Sequence, residues 1–196
     1  MQIKLPSFLF FAIPSLIYWL VMRRKGMGNQ EISRNLGLVG SSGKFYLYAA
    51  GVSIGLAVLS YAVNEFNLMP QEWRQFAQQN SQYASWGKSV KSFLFIFLLE
   101  GMSVTLGEEL FFRGFLGSLL IRQLGYWKGN LVQTIIFTLV HIPVFMINRS
   151  TWPLVFIGIP LIGWFMGFLL HKSGSILPSW LFHTISNATT AFLAIR

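Results

Sequence analysis

The sequence predicts an all-α protein, a multi-pass transmembrane helical bundle of about six spanning helices plus an interfacial helix, at roughly 20 residues for each crossing of a ~30 Å hydrocarbon core. Of the 196 residues, 54% are hydrophobic and 11% charged, and mean hydropathy is +0.55. A soluble domain of this size cannot cover its surface with so few charges. Apolar stretches recur at spanning length, and the 15 basic residues, which give a net charge of +9, stand at their ends. This is the pattern of a chain anchored to anionic headgroups. Membrane lipid is thus an expected partner, and nucleic acid is not, because no basic stripe with interleaved aromatics is free to meet a phosphate backbone.

The apolar stretches fall at residues 5–22, 45–64, 89–107, 129–147, 151–170 and 174–195. The first is followed at once by Arg23, Arg24 and Lys25 and has no small-residue cleavage site, so it is expected to be a retained helix, kinked at Pro14. Between the second and third, the polar segment 65–88 carries Pro70 and then Trp73, Phe76 and Ala77 at helical spacing, which predicts a short amphipathic helix on the interface. After the third, residues 108–124 continue half-apolar, punctuated by Gly114 and Gly117, as a helix running on toward the opposite interface. One face collects Arg23, Arg24, Lys25, Arg34, Lys44, Arg113, Arg122, Lys128 and Lys172. The other has Lys4, Arg74, Lys88, Lys91, Arg149 and Arg196. The bias places the 23–44 loop in the cytoplasm and both termini outside. The character of the chain changes near residue 89, which divides a region 1–88, two transmembrane helices and an interfacial segment, from a membrane core at 89–196.

The residue inventory removes whole chemistries. There is no Cys, hence no disulfide, thiolate nucleophile or Cys-bound metal, and all six acidic residues are Glu. An aspartic dyad, an Asp-oriented triad and an EF-hand loop are excluded. Two decoys also fall. Gly40, Ser41, Ser42 and Gly43 mimic a serine-protease motif but lie in the basic loop as ordinary turn chemistry, and Gly43–Lys44 lacks the first glycine and the Ser/Thr of a P-loop.

The informative residues are charges inside apolar stretches, each of which costs about 2.5 to 3.5 kcal/mol at mid-depth unless it faces protein or water. Glu100, Glu108, Glu109 and Arg113 cluster on or just after the third stretch. Glu109 and Arg113 have the favourable i, i+4 order of a helical ion pair, a structural role. Glu108 points about 100° away, left without the arginine and free to face a cavity as a general base. His141 follows Phe137 by one turn in the fourth stretch, and His183 precedes Asn187 by one turn in the sixth. At 1.5 Å per residue these groups reach a similar depth. Glu100 is expected to make a helix contact or support the site, and His171, beside Lys172, to be interfacial. Gly51 with Gly55, and Gly163 with Gly167, suggest helix packing.

GEELFFRG (107–114), FTLVH (137–141) and GSILPSWLFHTISN (174–187) resemble the three ordered motifs EExxxR, FxxxH and HxxxN of the CPBP family, which includes the type II CAAX prenyl endopeptidases and the Abi-type bacteriocin-processing or immunity proteins. The resemblance covers about residues 90–195, and it makes 89–196 a CPBP-like catalytic core. It implies an intramembrane endopeptidase acting on a membrane-associated peptide or a prenylated protein. The residues matching Glu108 and His141 would activate a water, those matching His183 and Asn187 would hold the oxyanion, and those matching Glu109 and Arg113 would support the site. The protein would be an integral, multi-pass membrane protein, of the cell membrane if its source is a prokaryote.

Two versions of the chemistry fit these residue types. Glu108, His141 and His183 make a zinc set with one open position. Alternatively Glu108 is the base without a metal. No HExxH is present, and no Asp is available to orient either histidine, so the version without a cofactor is favoured. A non-catalytic immunity or regulatory protein of the Abi type is the alternative function. A small transporter would use the same buried charges, but no inverted repeat is visible.

Overall fold

The computed structural model describes residues 7–66, 68 and 70–195, and every regular element among them is helical. Helix α1 is Ser7–Arg24, α2 Asn29–Asn35, α3 Gly43–Glu65 and α4 Gln71–Asn80. Helix α5 (Val90–Glu100) continues through a π-helical turn, Gly101–Thr105, into the four-residue α6 (Leu106–Glu109) and a second π segment, Leu110–Gly117. Then come α7 (Ser118–Leu139), α8 (Ile142–Ile147), a 3-10 turn at Arg149–Thr151, a π turn at Leu154–Gly158, α9 (Ile159–Ser173) and α10 (Leu177–Leu193). The amphipathic helix expected after Pro70 is α4, with Pro70 at its N-cap. Residues 5 and 6 of the first stretch, Lys4 and Arg196 lie outside the described residues. Helix α1 runs on through Pro14.

Among the described residues three helical runs are long and apolar enough to cross a membrane: Gly43–Glu65, Val90–Ile147 and Arg149–Ser173. The third and fourth stretches are one run because no loop divides them. Gly125, at φ +76°, turns the chain without the polar linker that would mark two helices, a conformation that costs a residue with a Cβ. One turn later Gly129 lies so close to the backbone of Leu120 and Ile121 that a Cβ there would stand 2.6 Å from them. Helices α1 and α10 are shorter, at 18 and 17 residues. The exterior is apolar along the runs, with Leu47, Ile54 and Leu59 exposed.

Helix α10 is the centre of the bundle, packed against α3, α5, α9 and α6, while α1 lies on α6 and the π segments around it and α7 pairs with α9. Phe112, Phe137, Met166, Leu169 and Phe182 fill the core. The connection before α3 is docked onto the start of α10. Gly37, at φ +64°, accepts the Ile176 N–H at 3.0 Å, and Ser175 Oγ donates to the Val39 carbonyl at 2.6 Å. Arg122 Nη1 ties the same end together by donating to the Asn35 carbonyl at 2.7 Å. Ser42 is the N-cap of α3, the turn role expected of it. At the other end, Tyr83 donates to Glu100 Oε1 at 2.9 Å, anchoring the 81–89 connection to α5. Burial, with Glu100 beside it, pushes the Tyr83 hydroxyl well above the usual phenol range.

Candidate active site

The segment carrying Glu108 and Glu109 is a single α turn between two π segments. A π turn leaves its carbonyls off the regular ladder, and such turns recur at functional sites. Here α10 takes up the slack. Trp180 Nε1 donates to the Gly101 carbonyl at 2.9 Å, and the Thr105 and Thr184 hydroxyls pair at 2.7 Å. Glycines allow the close approach on the other sides. A Cβ at Gly107 would stand 2.5 Å from Phe8 Cα of α1, and one at Gly114 would stand 2.9 Å from the Leu36 carbonyl. Ser15 of α1 adds a hydrogen bond to the Leu110 carbonyl at 2.8 Å.

The two glutamates separate as the helical angle requires. Glu109 and Arg113 are fully buried and paired at 3.1 Å. The guanidinium also lies 4.1 Å from the centre of the Phe137 ring. Arg113 is thus an interior cation, and its place among the basic residues of one face is corrected. Glu108 points elsewhere, its side chain 16% exposed, with Oε2 3.7 Å from Nε2 of His183. Of the two carboxylates, Glu108 is the reachable one.

His183 shows a contact that helical spacing did not reveal. Its Nδ1 donates to Glu109 Oε1 at 2.9 Å, the same oxygen that accepts from Arg113. The expectation that neither histidine has a carboxylate to orient it is therefore wrong for His183. The chain has no Asp, and helical spacing pairs Glu109 with Arg113 alone. The one available clue was Ser179, one turn before His183, whose hydroxyl also faces Glu109.

His141 is oriented by backbone. The proline at 143 has no N–H to extend the helix, α7 ends at Leu139, and the His141 N–H turns to the Thr138 carbonyl at 3.0 Å. This frees the Phe137 carbonyl, which accepts from His141 Nδ1 at 2.7 Å. With Nδ1 carrying the proton, the neutral ring presents Nε2 as an acceptor. Glu108, His183 and Arg113 all act on this ring electrostatically. The Phe137 ring packs between the two histidines, 4.7 Å from His141 and 6.0 Å from His183.

The site therefore brings Glu108, Glu109, Arg113 and His183 into direct contact and His141 into electrostatic range, with Asn187 half-buried one turn beyond His183. The Asn187 amide holds no side-chain hydrogen bond among the described residues. A histidine whose far nitrogen is held by a carboxylate or carbonyl suits a metal ligand as well as a proton acceptor. Yet no three His or Glu side chains among the described residues are gathered closely enough to hold an ion.

The remaining expectations divide. Glu100 holds the 81–89 connection through Tyr83. His171 is exposed and stacks on Tyr126 at 4.3 Å, as an interfacial residue would. Gly163 and Gly167 pack, the first against Phe137 and Thr134 and the second against Asn130 and Gln133. Gly51 and Gly55 pack against nothing within 4 Å; the small-xxx-small pattern there faces outward.

The family described as Type II CAAX prenyl endopeptidase Rce1-like matches residues 90–189. No curated protein and no solved structure matches the chain. The match covers half of the sequence and spans the run from α5 through the Glu108 turn to the His183 face of α10, the same elements that build the site. The chain belongs to the type II CAAX prenyl endopeptidase Rce1-like family.

Proposed function

We propose that this protein is a multi-pass intramembrane endopeptidase that hydrolyses a peptide bond of a membrane-associated peptide, prenylated ones included. The observation that carries the proposal is the contact of the reachable Glu108 carboxylate with Nε2 of a histidine held from behind by Glu109. Glu108 takes a proton from a water whose other hydrogen is accepted by Nε2 of His141. The water oxygen bonds to the scissile carbonyl carbon, and the carbonyl electron pair moves onto oxygen. Nδ1 of His183 is held by Glu109, which fixes the ring with its Nε2 edge toward the reacting carbonyl. His183 and Asn187 together face the oxyanion, to which the Asn187 amide donates. As the C–N bond breaks, Glu108 returns its proton to the leaving nitrogen.

The direct test uses purified protein in liposomes and a fluorogenic peptide, anchored through a farnesylated cysteine or unanchored. Cleavage of the anchored peptide alone is the expected result. A wild-type protein that folds and binds the peptide but never cuts it would instead favour the immunity or regulatory role.

No metal enters these steps, so activity is expected to survive dialysis against a strong chelator, with less than stoichiometric zinc by elemental analysis. Loss of activity that zinc alone restores would overturn the metal-free version and make Glu108 a ligand, or the base beside a metal-bound water.

Orientation follows the charge bias, with the α2 end of the bundle in the cytoplasm. In this Cys-free chain, single cysteines at the exposed Gln30 and Gln123 are expected to react with an impermeant thiol probe from the cytoplasm, and one at Gln75 from outside. The opposite labelling would invert the topology.

A further inference from the structure

Gln133 is a fully buried amide on α7, which pairs with α9, and it lies one turn before Phe137. Its Nε2 has two hydrogens and three acceptors in reach: the Gly163 carbonyl of α9 at 3.1 Å, Asn130 Oδ1 at 2.8 Å and Thr134 Oγ1 at 2.9 Å. The bond to Gly163 crosses between helices. Oε1 of the same amide meets no hydrogen-bond partner among the described residues and is sealed from solvent. A buried acceptor left in this way costs stability, so two helices that needed only to pack would be served better by an apolar side chain here. Packing alone does not account for Gln133.

The backbone that Gln133 grips is the wall against which Arg113 rests. A Cβ at Gly163 would stand 3.8 Å from Arg113 Nη2, 3.2 Å from the Phe137 ring and 3.4 Å from Thr134 Cγ2. Arg113 has few other restraints. Nη1 is paired with Glu109 and the guanidinium faces the Phe137 ring, while neither Nε nor Nη2 meets a hydrogen-bond partner among the described residues. Its seat therefore depends on how closely α9 approaches at Gly163. We infer that Gln133, which belongs to none of the three motifs, is a positioning residue of the site. It fixes α9 against Arg113, and through the Glu109 oxygen that Arg113 shares with His183 it fixes the ring that approaches Glu108. The inference rests on His183 being part of the reacting site. Asn130 provides the contrast, since it too is fully buried on α7 and donates to an α9 carbonyl, that of Trp164 at 3.2 Å. It hydrogen-bonds to no member of the charged cluster among the described residues.

The test follows the Nδ1 proton of His183 by magnetic resonance in nitrogen-labelled protein in liposomes, beside kcat and KM on the anchored peptide. A carboxylate partner holds this proton downfield of other histidine N–H signals. Gln133→Met, which keeps the length but has no donor, is expected to move or broaden the resonance and to lower kcat by about 10-fold with KM unchanged. Asn130→Ala removes a neighbouring tie between the same helices and leaves Nε2 of Gln133 two acceptors. It is expected to lower the melting temperature while resonance and kcat stay in place. Gly163→Ala, whose Cβ presses on Phe137, is expected to move the same resonance, and it decides the matter if Gln133→Met does not fold. An unmoved resonance in the deciding variant would overturn the inference. So would a shift in Asn130→Ala as large as that in Gln133→Met. A wild-type protein that cuts no peptide would count against the peptidase reading alone, since the resonance still decides what Gln133 does.

Discussion

Glu108→Gln is expected to lower the rate of peptide cleavage by about 10²-fold or more while leaving the protein folded, since a positioned general base contributes roughly 10²–10⁴. The amide has the shape of the carboxylate but cannot accept the proton of an attacking water. Little stability is at stake. The side chain is partly exposed, and its one close contact is the 3.7 Å approach to His183 Nε2. His141→Ala is expected to behave in the same way, because it removes the acceptor nitrogen proposed to hold the water with Glu108, at a helix end followed by Pro143. The check is kcat on an anchored peptide in liposomes, read against the melting temperature in detergent. Cleavage at the wild-type rate by Glu108→Gln would mean that another group is the base.

The helical class was legible because it rests on composition, and α4 because Pro70, Trp73, Phe76 and Ala77 carry both a start signal and a period. The number of spans was not legible. A length of apolar sequence does not say whether a single glycine such as Gly125 will turn the chain within it. At the site, angular arithmetic on one ideal helix was enough to separate Glu108 from Glu109, because the α turn that holds them is regular. The same arithmetic could not reach the Glu109–His183 contact, which joins residues 74 apart and depends on how α10 seats against two π turns. Nor could it reach the orientation of His141. That follows from the Phe137 carbonyl, left free where the His141 N–H turns to Thr138 at the end of α7.

Glu109→Gln is expected to damage stability and activity together, whereas spacing alone assigned this residue to support of Arg113. One oxygen, Glu109 Oε1, accepts from both Arg113 Nη1 and His183 Nδ1, and among the described residues no hydrogen-bond donor meets Oε2. A glutamine can keep both bonds through its own oxygen, but its amide nitrogen then occupies the buried Oε2 position as a donor without a partner, costing about 1 to 3 kcal/mol. The larger loss is electrostatic. Arg113 is fully buried, and removing its counter-charge leaves an uncompensated cation, for which about 3 to 5 kcal/mol is typical. The detergent melting temperature should fall sharply. Activity should fall by about 10- to 100-fold, the usual consequence of losing the group that orients a functional histidine. The double variant Glu109→Gln with Arg113→Met separates the two effects. With the cation gone, most of the stability is expected to return, while His183 still lacks the carboxylate behind it and cleavage stays low. A double variant that regained activity along with stability would confine Glu109 to the ion pair, and the proposed role of an oriented His183 at the oxyanion would fall with it.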